Sequence, residues 1–192
     1  MGKILCYIYD EMADFEITFL LHRLKNTGKK DIISISSDRE IKQSQSGLSY
    51  IPDNIIKDIV CLEDVDALII PGGPIDNNQN DILDLVNRMI AKDKLVAVIC
   101  FGPQFLGRAG VLDKYKYTTS CSADKIIKLG CEDPFNWENY VDKRVVIDRN
   151  LITAQGYAFV DFASAVCSYL NVFESKVQEY EQIGRVKENE KF

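Results

Sequence analysis

The sequence predicts an α/β fold in which a mostly parallel sheet is covered by helices on both faces. Two observations carry this. Strand-like and helix-like segments alternate along most of the 192 residues, as connections between parallel strands require. The inner strand candidates are also continuous apolar runs, the pattern of strands buried on both faces. Size and composition agree with it. A single domain of this length buries a sizeable core, and 46% apolar with 27% charged residues is ordinary for a soluble globular chain.

Residues 3–9 (KILCYIY) are the first strand candidate. Over residues 13–25, Ile17, Leu20, Leu21 and Leu24 repeat at helical spacing, and Asn26-Thr27-Gly28 supplies the stop. Residues 31–36 (DIISIS) make a second strand, and 47–55 read as short extended pieces around a Pro-Asp-Asn turn at a sheet edge. Residues 66–70 (DALII) form the third core strand, which ends in Pro71-Gly72-Gly73-Pro74. Ile82, Leu85, Val86, Met89 and Ile90 return to helical spacing. Residues 95–99 (LVAVI) are then a buried strand that stops at Cys100-Phe101-Gly102-Pro103, where a short helix over 104–109 begins, closed by Gly110. Beyond it the sequence predicts a strand at 116–119 and a small helix at 123–129 capped by Gly130. Two strands follow within 145–153 around an Asp-Arg-Asn turn, then a long helix over 157–170. The tail from Phe173 is charged, with Val177, Tyr180 and Ile183 spaced as in an outer helix that frays after Gly184. No repeat, low-complexity stretch or linker divides the chain, so 1–192 reads as one domain with its core at 3–172.

Charge and cysteine usage exclude several classes. A net charge of −6, with no basic run to offset it, argues against nucleic acid or an anionic membrane as partner. The start MGKILCYIYD soon meets Asp10, Glu11 and Asp14, unlike a signal peptide, and no apolar run approaches a membrane span. Cys6 stands where a myristoylation signal wants Ser or Thr. The six cysteines (6, 61, 100, 121, 131 and 167) contain no C-x-x-C pair and read as reduced thiols of the cytoplasm. A single histidine, His22, and the lack of paired cysteines argue against a zinc site, and no motif implies a cofactor.

The strand that ends at Cys100 carries the chemistry. A sharp strand-to-helix turn pushes its apex side chain out of the sheet and over a helix N-terminus. There the unpaired N–H groups favour the thiolate, whereas a free thiol is only about 3% ionised at pH 7. The segment alone leaves a second reading open, that of an inert buried cysteine closing a strand. Glu16 is similarly open. It sits at the margin of the first helix's apolar stripe, either as a surface group or as a buried carboxyl with a raised pKa. Gly72 and Gly73 can bring a turn close to the sulfur, or can simply make a tight turn.

Together the elbow Ile99-Cys100-Phe101-Gly102-Pro103, the turn Ile70-Pro71-Gly72-Gly73 and the helix start Met12-Ala13-Asp14-Phe15-Glu16 resemble the ThiJ/PfpI superfamily. Gly47-Leu48, Pro52-Asp53, Thr118-Thr119 and Leu151-Ile152-Thr153-Ala154-Gln155-Gly156 extend the likeness over about 3–172. The resemblance implies a flavodoxin-like three-layer sandwich with a nucleophile elbow, shared with class I glutamine amidotransferases, and a homodimer. It implies that Glu16 reaches Cys100 and, protonated, donates a hydrogen bond to a thiolate that predominates at neutral pH. It also implies an oxyanion hole from the N–H groups of Gly72, Gly73 and Phe101.

The family's histidine is missing. One branch places it directly after the nucleophile, where this chain has Phe101; another places it after the Thr-Thr pair, where this chain has Ser120. The stretch 155–165, where amidotransferases carry theirs, has none. His22 lies six residues past Glu16, turned about 120° away on a helix, and reads as a surface or supporting residue. Glutaminase and peptidase chemistry, which needs a base to shuttle protons to a leaving amine, is therefore disfavoured. The residues point to a reactive cysteine acting on a small electrophile as a hydrolase, hydratase or glyoxalase-like enzyme, with Ser120 holding substrate or water. Two alternatives stay open: a redox-responsive stress protein in which an oxidant modifies Cys100, and a binding module with a vestigial pocket. Cys121 reads either as a resolving thiol or as a small residue before a helix.

Overall fold

In the computed structural model, which describes residues 2–75 and 80–188, the apolar runs become neighbouring strands. The strands are β1 (Lys3–Tyr7), β2 (Asp31–Ser36), β3 (Lys42–Gln43), β4 (Ser49–Tyr50), β5 (Asn54–Ile55), β6 (Val65–Ile70), β7 (Leu95–Ile99), β8 (Val145–Asp148) and β9 (Leu151–Ala154). One sheet has the order β5-β2-β1-β6-β7-β9-β8, parallel except where β8 pairs antiparallel with β9. Without the two-residue edge strand β5 and the antiparallel β8, the parallel strands run second, first, third, fourth, fifth, the flavodoxin-like order. β3 and β4 form a separate antiparallel hairpin.

The helices are α1 (Phe15–Asn26), α2 (Asp81–Ala91), α3 (Pro103–Arg108), α4 (Ala123–Leu129), α5 (Phe159–Tyr169) and α6 (Lys176–Glu179). α1 packs against α5 and α2 against α3. α1 buries Ile17, Leu20 and Leu24, and α2 buries Ile82, Leu85, Val86 and Met89. Each such side chain contributes roughly 1.5–3 kcal/mol of transfer free energy, so these stripes fix the helices against the sheet. Ile70 pairs with Val98 and Ile99 with Ala154, which brings the carboxyl ends of β6, β7 and β9 to one level. Ligands bind at that edge in open α/β sheets.

Three expectations are corrected. Residues 116–119 form no strand, only a bridge between Tyr117 and Tyr140. Backbone and side-chain groups there are engaged elsewhere: Thr118 N–H donates to Thr153 Oγ1 and Thr119 Oγ1 to the Cys100 carbonyl. The first strand closes at Tyr7 rather than residue 9. The tail does not fray after Gly184 but stays helical through Glu188, with a π turn at Tyr180–Gly184. Buried Ile183 and the Lys187–Asp161 ion pair (2.8 Å) hold it there. Among the described residues no helix is long and apolar enough to cross a membrane, and no cluster of three or more His, Cys, Asp or Glu could hold a metal ion.

Candidate active site

The elbow is built by pinning both backbone groups of one residue. Cys100 has φ 62°, a left-handed conformation that costs a non-glycine residue about 1–2 kcal/mol. Its N–H donates to the Ala154 carbonyl (2.8 Å), while its carbonyl accepts from Ser120 N–H (3.0 Å) and Thr119 Oγ1 (2.7 Å). Three hydrogen bonds therefore hold the turn that lifts Sγ off the sheet. The sulfur in turn meets the Glu16 carboxyl, the Ser120 hydroxyl and the Phe101 N–H. Ser120 Oγ accepts the Gly156 N–H (2.7 Å), which leaves its own proton to point at sulfur.

Glu16 is buried, 2% exposed, which settles its two readings. Gly72 N–H donates to Glu16 Oε2 (2.7 Å), and the Gly72 carbonyl accepts from Ala13 N–H (2.8 Å), so the end of β6 is tied to the start of α1. Two glycines make room for the pair. A Cβ on Gly72 would lie 2.6 Å from Cys100 Cβ and 2.7 Å from Glu16 Oε2. One on Gly156 would lie 2.8 Å from Glu16 Oε1 and 2.9 Å from Cys100 Sγ. The sequence marked Gly72 for this role; Gly156 entered only as the end of a longer matching segment.

The electrostatics bear on Glu16 and Cys100 as a pair. Burial raises the Glu16 carboxyl above the usual glutamate range, against the lowering effect of its Cys100 and Gly72 hydrogen bonds. Burial, then the charge of Glu16 and its hydrogen bond, push the Cys100 thiol up to about 12, while Ser120 and the Phe101 N–H pull it down. Thiol and carboxyl thus form one buried, hydrogen-bonded pair in which burial disfavours charge on either group.

The oxyanion expectation changes as well. Gly72 N–H is engaged by Glu16 and cannot face a substrate. Gly73 and Phe101 border the cavity that opens over Cys100, about 560 Å³ in volume. Phe15, Gln45, Lys125 and Tyr157 also line it, and the sequence reading missed all four. Gln45 arrives on the β3–β4 loop through contacts more than thirty residues distant, and no local pattern announces that. A second cavity, about 620 Å³, lies beside Phe135 and Trp137, and its described lining has no cysteine, serine or histidine. His22 is exposed on α1, outside the lining of the Cys100 cavity. Cys121 is buried just ahead of α4, with its thiol 3.7 Å from the Ser122 carbonyl.

Comparison with known proteins gives one consistent result. The model of the DJ-1/PfpI family matches residues 2–168. "Deglycase PfpI" of Pyrococcus furiosus is 31% identical over 157 residues, 80% of this chain and 89% of that protein. "Uncharacterized protease YoaZ" of Bacillus subtilis is 30% identical over 182 residues, 89% of this chain and 84% of that one. Among solved structures, a DJ-1 superfamily protein from Agrobacterium tumefaciens superposes with a TM-score of 0.84 at 29% identity, covering 98% of this chain and 100% of that one.

Proposed function

The chain belongs to the DJ-1/PfpI family, and from that premise we propose that it is a cysteine-dependent enzyme for a small electrophile, with Cys100 as nucleophile and Glu16 as its proton acceptor. The observation that carries this reading is the buried Glu16 carboxyl hydrogen-bonded to a thiol at the mouth of an open cavity. As Sγ bonds to a carbonyl carbon, the thiol proton passes to Glu16 and the π electron pair moves to oxygen. The N–H groups of Gly73 and Phe101 would meet that oxygen, and Ser120 would orient substrate or water. Glu16 then returns the proton to the oxygen or to a leaving group. A raised carboxyl is suited to both steps, because general acid–base catalysis is most effective when the pKa approaches the working pH.

Relatives named deglycases favour carbonyl-derived adducts as the substrate class. The relative named a protease would need a proton delivered to a leaving amine. No histidine is among the described residues lining the cavity, which disfavours peptide cleavage. The reading includes a single catalytic domain assembled as a homodimer in the cytoplasm, and sedimentation of the purified protein checks the assembly. Screening dicarbonyls, isonitriles and amides against the wild type, Cys100→Ser and Glu16→Gln tests the chemistry. Turnover lost in both variants is the expected result; turnover that survives at Cys100→Ser overturns the reading.

A second reading rests on the three hydrogen-bonding groups around Sγ, which would also suit an oxidised sulfur. Here peroxide transfers an oxygen atom to Sγ and leaves as water, giving a sulfenic acid, and a second peroxide gives the sulfinate. Peptide mapping after mild peroxide should find Cys100 modified first; even oxidation at Cys61, the exposed cysteine, counts against it.

A further inference from the structure

We propose that Lys125 is an anion anchor in the Cys100 cavity, and that the preferred substrate is a small electrophile carrying a carboxylate. The proposal rests on the nucleophile reading and names its substrate class. Lys125 is the single cation among the described residues that line the cavity, which Glu11 and Glu16 otherwise make acidic. Its ammonium sits 4.2 Å over the ring of Phe101, the residue that follows the nucleophile. A cation on a ring face keeps its outer N–H donors free. Several lysines, among them Lys30, Lys42 and Lys187, lie within ion-pair distance of a carboxylate; Lys125, like Lys128, has no such partner among the described residues, and of the two only Lys125 lines the cavity.

The remaining lining fixes the kind of ligand. Phe15 and Tyr157 are exposed aromatic side chains that line the cavity, 55% and 63% accessible; one face of Tyr157 is taken by the Arg144 guanidinium, 5.0 Å from the ring centroid and paired with Asp161. A single ammonium with no second free cation beside it matches a monoanion better than a doubly charged phosphate. The ligand would thus place its carboxylate at Lys125, its apolar body between the rings, and its reactive carbon at Sγ. In a chain of net charge −6 with two glutamates at the site, an anionic ligand would otherwise be repelled, so a preference for one has a specific cause.

Two alkylating reagents that differ only in charge test this: N-(iodoacetyl)glycine and its neutral amide, with the Cys100 peptide quantified at pH 6. Wild type should react faster with the anionic reagent. Lys125→Met should lower the anionic-to-neutral rate ratio by about tenfold, the effect of one charge-assisted hydrogen bond. Lys128→Met, one turn on in α4 and outside the lining, should leave it unchanged. A ratio below one in the wild type, or one that Lys125→Met does not move, overturns the anchor. A Glu16→Gln variant whose Cys100 alkylates at the wild-type rate with both reagents overturns the Cys100–Glu16 pairing of the nucleophile reading instead, and the Lys125→Met ratio still judges the anchor by itself.

Discussion

Asp14 and Glu16 stand two residues apart at the start of α1, both are buried, and their surroundings drive them in opposite directions. For each, burial is the largest influence and raises the carboxyl. Asp14 faces the β3–β4 hairpin, where the hydroxyls of Ser44, Ser46 and Tyr50 converge on Oδ2 at 3.0, 2.5 and 2.9 Å. These donors outweigh burial and hold Asp14 below the usual aspartate range. Glu16 faces the elbow, where one backbone N–H and a thiol are its partners, and burial prevails. One helix turn thus presents a carboxylate whose Oδ2 collects three donors and fastens a loop, its buried Oδ1 having no partner among the described residues, and another with fewer donors that can take a proton. The number of donors, rather than depth, separates a structural acid from a reactive one.

The largest expected effect comes from removing the reactive acid. Glu16→Gln keeps an acceptor for Gly72 N–H but cannot accept a proton. Turnover should fall by about 10²–10⁴, the usual share of general acid–base catalysis, read as kcat on whichever substrate the screen identifies. The same variant should move thiolate formation at Cys100 to lower pH, because the charge that pushes the thiol up is gone. Stability should change little or rise by about 1 kcal/mol near neutrality. The sign follows from linkage: a carboxyl whose folded pKa is raised stabilises below its unfolded pKa and loses that contribution as pH rises through the folded one. An alkylation profile that does not shift would show that Glu16 and Cys100 do not share a proton.

Asp14→Asn gives the opposite pattern. The amide loses the charge on which three hydroxyls converge, and stability should drop by about 3 kcal/mol in urea unfolding. Because the folded pKa is lowered, the wild-type contribution is present above the unfolded aspartate pKa and lost as pH falls through the folded one. The two variants should therefore give similar urea midpoints in acid and different ones at neutral pH. Chemistry should suffer indirectly: the hairpin loop carries Gln45 to the cavity, so KM should rise before kcat falls.

This contrast also shows what a sequence can carry. The strand at 31–36 and the helix at 123–129 with its Gly130 cap are set by local signals, apolar run and cap, and they appear with the bounds read from the chain. The elbow was legible because an apolar strand stopping at Cys-Phe-Gly-Pro is a local event. The Asp14 cluster was not, since its three donors lie thirty or more residues away on a hairpin whose own strands have two residues each. How burial and the Glu16 carboxyl act on Cys100 was illegible for a related reason. A helix end is visible in sequence, but burial and the ionised state of a neighbouring carboxyl belong to packing. The strand expected at 116–119 failed likewise, its partners being Thr153 and the elbow carbonyl rather than a neighbouring strand.

Smaller changes refine the comparison. Tyr50→Phe removes one of Asp14's three donors and leaves the other two, so it should cost about 1.5–2 kcal/mol, roughly half the Asp14→Asn effect. A loss as large as that of Asp14→Asn would mean that Tyr50 alone supports the carboxylate. The Cys100 alkylation profile should not move, because Tyr50 hydrogen-bonds to the structural acid and does not line the Cys100 cavity.

His22 provides the zero of the scale. It sits on the same helix as both acids, and it is the one residue of the chain that family precedent would recruit as a base. It is exposed and lies outside the lining of the Cys100 cavity, while Glu16, two turns earlier, is buried against sulfur. His22→Ala should leave turnover unchanged and stability within about 0.5 kcal/mol, as for surface substitutions in general. The pH–rate profile is the sharper measurement. If Glu16 alone moves the proton, the acid limb follows a raised carboxyl and is identical in wild type and His22→Ala. A limb that shifts on removing His22 would mean that the imidazole reaches the site, and the division of labour between Asp14 and Glu16 would then involve a third titrating group on the same helix.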